Sequence, residues 1–163
     1  MNDLQFMLEA YKEAEKNCLC NFEEGGPFGA VVVKDGEIIG RGKNSVLSSH
    51  NPTAHAEIIA IENACSYLET HDLTGCVLYT SCYPCPMCLS AIIWSNIKEV
   101  YYGNTKEDAA SIGFRDDNIY DAINNILGNK EKANKEIIKL HQIGRNETIE
   151  TFDKFRNNQG KLY

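Results

Sequence analysis

VLYTSCYPCPMCLSAIIWSNIKEVYY, residues Val77 to Tyr102, compresses a strand, a helix and a second strand into one short run. Val77 to Ser81 has the length and side chains of a buried strand. Pro84 and Pro86 then suit the entry to a helix, where the first N–H groups have no intrahelical partner to lose. That helix runs to about Ser95, and Glu99 to Tyr102 resumes an extended pattern. Two strands joined through a crossover helix pair in parallel, because a tight hairpin cannot connect them that way.

Working outward from this unit, Ala54 to Leu68 carries Ile58, Ile61 and Cys65 along one apolar stripe, with Thr53 as the expected N-cap. Asn44 to Thr53 is polar, contains Asn51-Pro52 and reads as a loop. Before it, Phe28 to Val33 and Ile38-Ile39 flank Asp35-Gly36, which predicts a β-hairpin. Leu4, Met7, Leu8, Tyr11 and Ala14 recur at helical spacing behind a cap at Asn2 or Asp3, and that helix breaks near Gly25-Gly26-Pro27. Beyond Gly103 the pattern weakens. Thr105 to Asp117 reads as a long loop or a short helix plus loop, Ile119 to Leu127 as helix and Ile137 to Gln142 as a fifth strand. Ile149, Phe152 and Phe155 mark a final amphipathic helix. The expectation is one α/β domain over 1–163, a three-layer α/β/α arrangement around a mixed sheet of about five strands.

The chemistry lies in the same central unit. Cys85 and Cys88 are three residues apart, so one helical turn puts both thiols on one face. His55 offers a third ligand, and Zn2+ held by three protein groups keeps a fourth position for water, the arrangement of a catalytic site. Glu57, two residues from His55, is placed to carry protons rather than to bind metal. H-x-E followed by P-C-x-x-C is the pattern of the zinc deaminases. A bland alternative is a closed structural zinc site with Cys82 as fourth ligand. Cys82, Cys85 and Cys88 also resemble a ferredoxin run, but that motif needs a cysteine at position 92, where this chain has Ile92.

Sixteen basic against 23 acidic side chains give a net charge of −7, poor equipment for neutralising a polyanion. A small uncharged substrate is therefore expected, with neither nucleic acid nor membrane as partner. Met1-Asn2-Asp3-Leu4 does not begin a secretory signal, and the seven cysteines form no even framework, so reduced thiols in the cytoplasm are the expectation.

GGPFGAVVVKDG (Gly25 to Gly36), NPTAHAE (Asn51 to Glu57), LYTSCYPCPMC (Leu78 to Cys88) and DAASIGFRDDNIY (Asp108 to Tyr120) together resemble the cytidine deaminase superfamily, and within it the compact bacterial guanine deaminases. The resemblance runs nearly end to end. It implies a cytidine deaminase-like fold, zinc on His55, Cys85 and Cys88, and Glu57 as proton shuttle. It also implies Asn44 hydrogen-bonded to a purine base, Phe28 stacked on it, and Asp116 as a second acid at the amino-bearing edge. Trp94 and Tyr163 would wall and cap the pocket. A homodimer is implied, with about residues 143–163 exchanged between subunits so that Tyr163 closes the partner's site. The activity implied is hydrolysis of guanine to xanthine and ammonia by zinc-bound hydroxide. Alternatives are a tRNA adenosine deaminase, a deaminase of another purine, pyrimidine or triazine, and a structural zinc protein. Two features depart from the subfamily: Tyr83 stands where Glu is usual, and Gly128 to Lys135 is unusually long and charged.

Overall fold

The structure, a computed structural model, describes residues 1–19, 23–114, 116–127 and 138–160. Its elements are α1 (Asp3–Leu19), β1 (Gly29–Lys34), β2 (Glu37–Lys43), α2 (Val46–Ser49), α3 (Ala56–Leu68), β3 (Val77–Cys82), α4 (Pro86–Trp94), β4 (Glu99–Asn104), α5 (Lys106–Ser111), α6 (Asp117–Leu127), β5 (Lys139–Gln142) and α7 (Arg145–Asn157). The five strands form one mixed sheet in the order β2-β1-β3-β4-β5. β1 is antiparallel to β2 and β3, while β3–β4 and β4–β5 are parallel. The crossover unit at Val77–Tyr102 is therefore as its sequence requires.

Alternation along the strands builds a core on each face. Ala30 and Val32 of β1 and Leu78 of β3 join Ala56, Ala60 and Ile61 of α3 and Ile92 of α4 on one side. Val31, Val33 and Tyr79 meet Phe6, Met7 and Ala10 of α1 on the other. Helices thus cover both faces of the sheet. Among the described residues no helix is long and apolar enough to cross a membrane.

Local signals account for most boundaries. Asn2 caps α1, its Oδ1 accepting from the Gln5 N–H while Gln5 Oε1 accepts from the Asn2 N–H. Asp35 and Gly36 both take positive φ, 50° and 82°, as a two-residue hairpin turn requires. Helix α3 departs from its predicted start. Its N-cap is His55, and Thr53 instead bonds back to the Asn51 side chain through its N–H and hydroxyl. The fifth strand is Lys139–Gln142; Ile137 and the charged run 128–135 lie outside the described residues.

Helix α3 reaches the sheet through small residues. Gly40 and Gly42 of β2 lie against Ala56, Ala60 and Ala64, all fully buried, and a Cβ on Gly42 would overlap the Ala56 carbonyl oxygen. This contact sets the depth of the first turn of α3, which carries His55 and Glu57. Gly42→Ala is expected to cost about 1–3 kcal/mol, the usual cost of overpacking. A melting curve of the variant against the parent checks it.

Candidate active site

The site lies where β3 ends and where two helices begin. Strand β3 delivers Cys82, the chain turns through Tyr83 and Pro84, and Cys85 takes the extended N-cap position of α4, with Pro86 opening the helix. His55 holds the equivalent extended position before α3, and its ring makes no capping bond to that helix. It is thereby free to turn toward Cys85 and Cys88. The positive ends of two helices face the same point, which favours thiolate over thiol.

His55 Nδ1 lies 3.7 Å from Cys85 Sγ and 3.6 Å from Cys88 Sγ, and the two sulfurs are 3.7 Å apart. Tetrahedral zinc, with Zn–S about 2.3 Å and Zn–N about 2.0–2.1 Å, separates two sulfurs by about 3.8 Å and a sulfur and nitrogen by about 3.6 Å. The triangle has the dimensions of three corners of that tetrahedron. Among the described residues these three form the one group that could hold a metal ion, and neither Cys82 nor Glu57 belongs to it.

The electrostatics fit a cation. Cys85 is drawn down to about 4, first by the Cys88 hydrogen bond and further by His55, against the cost of burial. Cys88 moves upward through that shared proton and its burial. At His55 burial works downward, but Cys85, Glu57 and Asp116 outweigh it and the imidazole pKa rises.

Glu57 projects from the first turn of α3 and is 6% exposed. Its Oε1 accepts from Thr80 Oγ1 at 3.2 Å, and its Oε2 lies 3.5 Å from Cys88 Sγ. Burial pushes its carboxyl upward, opposed chiefly by His55. A carboxyl shifted this way exchanges protons closer to neutral pH.

A cavity of about 530 Å³ opens over the triangle. His55, Glu57, Cys85 and Asp116 supply its polar side, and Phe28, Phe114, Pro52 and Ile119 its apolar side. Phe28 meets Phe114 edge-on at 5.0 Å and Phe152 of α7 at 5.5 Å, which fixes its ring. Asp116 precedes α6, its carbonyl accepting from the Ile119 and Tyr120 N–H groups.

The remaining expected residues fall elsewhere. Asn44, 1% exposed, is not among the residues lining the cavity, although its N–H donates to the Phe28 carbonyl. Its Oδ1 accepts from the Gly26 and Val46 N–H groups. Trp94 does not wall this chain's cavity. It is 84% exposed at the far end of α4, a full helix length from Cys85. Tyr163 lies outside the described residues.

Three further participants lie outside the expected set of ligands, proton carriers and base-binding residues. Tyr83 lines the cavity with its ring edge-on to Tyr102 at 5.0 Å. Cys82 lines it as a thiol held well above its usual pKa by burial, its Sγ directed at the Thr105 carbonyl. Asn17 of α1, fully buried, donates to the Gly26 and Asn44 carbonyls and so fixes the loop ends beside Phe28. Alternation along β3 could have pointed to Thr80 and Cys82, but not to Asn17.

The family model of the cytidine and deoxycytidylate deaminase zinc-binding region matches residues 1–104. Guanine deaminase of Bacillus subtilis is 47% identical over 133 residues, 82% of this chain and 81% of that protein. Its crystal structure covers 100% of this chain and 99% of its own at 43% identity and a TM-score of 0.72. A tRNA-specific adenosine deaminase of Aquifex aeolicus is 45% identical over 98 residues, 60% of this chain and 62% of that one. A solved structure in complex with 2,6-diaminopurine matches 97% of this chain and 83% of that one at 27% identity, with a TM-score of 0.78. The metal triangle, its neighbouring glutamate and these matches place one conclusion beyond the fold itself: the chain belongs to the cytidine and deoxycytidylate deaminase family of zinc-dependent hydrolytic enzymes.

Proposed function

We propose that this deaminase hydrolyses guanine to xanthine and ammonia. The observation that carries the proposal is the His55–Cys85–Cys88 triangle, sized for zinc, opening onto a cavity with an aromatic wall and two carboxyls. The extent of the likeness to the Bacillus subtilis guanine deaminase, reaching through the C-terminal elements, favours the purine base. The tRNA deaminase likeness spans less of the chain, and the net charge of −7 works against a polyanionic substrate.

Zinc, when bound, lowers the pKa of a coordinated water to about 7. Glu57 takes a proton from the attacking water and delivers it to the departing amine, its raised pKa suiting both transfers. Water oxygen adds to the ring carbon between N1 and N3, and the amino group leaves as ammonia. Phe28 offers a ring locked by Phe114 and Phe152, so stacking the base costs little side-chain entropy. Asn44 acts from behind the cavity wall, its Oδ1 committed to the Gly26 and Val46 N–H groups and its own N–H donating to the Phe28 carbonyl. Asp116 lines the cavity as the second acid. Unpaired polar groups in such a slot penalise the wrong base.

The enzyme is cytoplasmic and homodimeric in this reading, with the C-terminal segment from about 143 exchanged and Tyr163 over the partner's site. Within one chain α7 packs on α1 and β4, Thr148 Oγ1 donating to Asn104 Oδ1 at 2.8 Å. A partner's segment would make the same contacts. Light scattering then gives a mass about twice the 18.3 kDa of one chain.

The deciding assay follows ultraviolet absorbance and ammonia release with guanine, adenine, cytosine, guanosine, cytidine and a tRNA carrying a target adenosine. Conversion of guanine to xanthine supports the proposal. No ammonia from guanine, with turnover of another of these, overturns it.

A further inference from the structure

The geometry points to Tyr120 as a positioning residue that ties the Asp116 segment to the metal-ligand loop. Its Oη donates to the Pro84 carbonyl at 2.9 Å, the carbonyl of the peptide leading directly into Cys85. One turn of α6 earlier stands Asp116, whose carbonyl accepts from the Tyr120 N–H at 3.2 Å and the Ile119 N–H at 3.0 Å. The Tyr120 side chain therefore connects the two cavity walls, one bearing the metal ligand and the other the second acid.

Among the described side chains of α6 only Tyr120 and Ile123 are even half-buried, and the rest are exposed. The tyrosine ring is seated from the other side by Lys106 Nζ of α5, 5.6 Å from its centroid, a cation over an aromatic face. Burial pushes the phenol upward from its ordinary pKa, with Tyr83, Cys85 and Asp116 adding to the shift. It remains a donor throughout the neutral range. Without the hydroxyl, the Pro84 carbonyl loses this partner and the start of α6 can move away from the metal loop. Asp116 then spends less time at the reacting edge of the base.

The inference rests on the proposed role of Asp116 in base deamination, and its test separates the two. Turnover of guanine is compared for the parent, Tyr120→Phe, Asp116→Asn and the double variant, with zinc content and amide hydrogen exchange measured alongside. Losing one neutral hydrogen bond corresponds to about a fivefold change in equilibrium, so Tyr120→Phe is expected to lower kcat about fivefold with KM and zinc content little changed. Added to Asp116→Asn, the same substitution is expected to cost less than about twofold, because residues acting as one unit are not additive. The Ile119 and Tyr120 amides exchange faster in Tyr120→Phe, while the Leu89 amide, bonded to the Cys85 carbonyl, keeps its rate. Parental kcat in Tyr120→Phe, or an equal loss in both backgrounds, overturns the positioning role. Parental exchange at Ile119 and Tyr120 overturns the tether. Asp116→Asn at the parental rate overturns the role of Asp116 itself, whatever the exchange shows.

Discussion

Glu57→Ala lowers kcat by about a thousandfold while leaving bound zinc near the parental level. The magnitude follows from general acid–base catalysis, which contributes about 10²- to 10⁴-fold when one positioned group carries the proton. Glu57 is buried beside the ligands but does not belong to the group that can hold the metal, so its removal leaves all three ligands in place. Its neighbours are Thr80 Oγ1 and Cys88 Sγ, neither of which is a carboxyl able to replace it. Folding should survive, since the substitution removes a carboxyl whose burial is unfavourable to its charged form. Glu57→Gln keeps the volume and the Thr80 hydrogen bond, and is expected to lose as much turnover. Steady-state kinetics with metal analysis on the same preparations checks both variants. Parental rates in either would remove Glu57 from the mechanism.

Cys88→Ala should abolish activity by a different route, through loss of the metal. Cys88 is fully buried, with the Cys85 sulfur 3.7 Å and the His55 nitrogen 3.6 Å away, so two ligands remain where three converged. Altering groups that merely support a ligand already costs about 10- to 100-fold in metal affinity, and deleting a ligand costs more. Purified Cys88→Ala is expected to hold little zinc and to show no turnover. Cys82→Ala is the contrast. Cys82 lines the cavity without joining the ligand group, so that variant keeps its zinc. Zinc retained by Cys88→Ala and lost by Cys82→Ala would reverse the ligand assignment.

The metal centre was legible because its chemistry is written in local spacing. Cys85 and Cys88 share one helical turn, and His55 and Glu57 share the start of another, so only the meeting of two helix ends was left to the fold. The hairpin at Asp35-Gly36 and the crossover at Val77–Tyr102 were legible for the same reason. The start of α3 was misread because Thr53 has the right side chain for a cap, whereas the cap position belongs to His55, whose ring faces the Cys85 and Cys88 sulfurs. Trp94 shows a second limit: a resemblance implies a role for a residue, but Trp94 stands exposed at the far end of α4 from this chain's cavity. Asn17 and Tyr120 act through backbone carbonyls up to 36 residues away. No pattern in the chain anticipates such partners, since any carbonyl can accept and only the tertiary structure chooses which.

X-ray absorption at the zinc edge, on protein carrying one zinc per chain, tests the centre of this account. Two sulfurs at about 2.3 Å with two nitrogen or oxygen neighbours at about 2.0–2.1 Å is the expected first shell, from Cys85, Cys88, His55 and a solvent oxygen. Three sulfurs around the ion would mean that Cys82 closes the site and that the metal is structural, and the hydrolytic reading would fall with it.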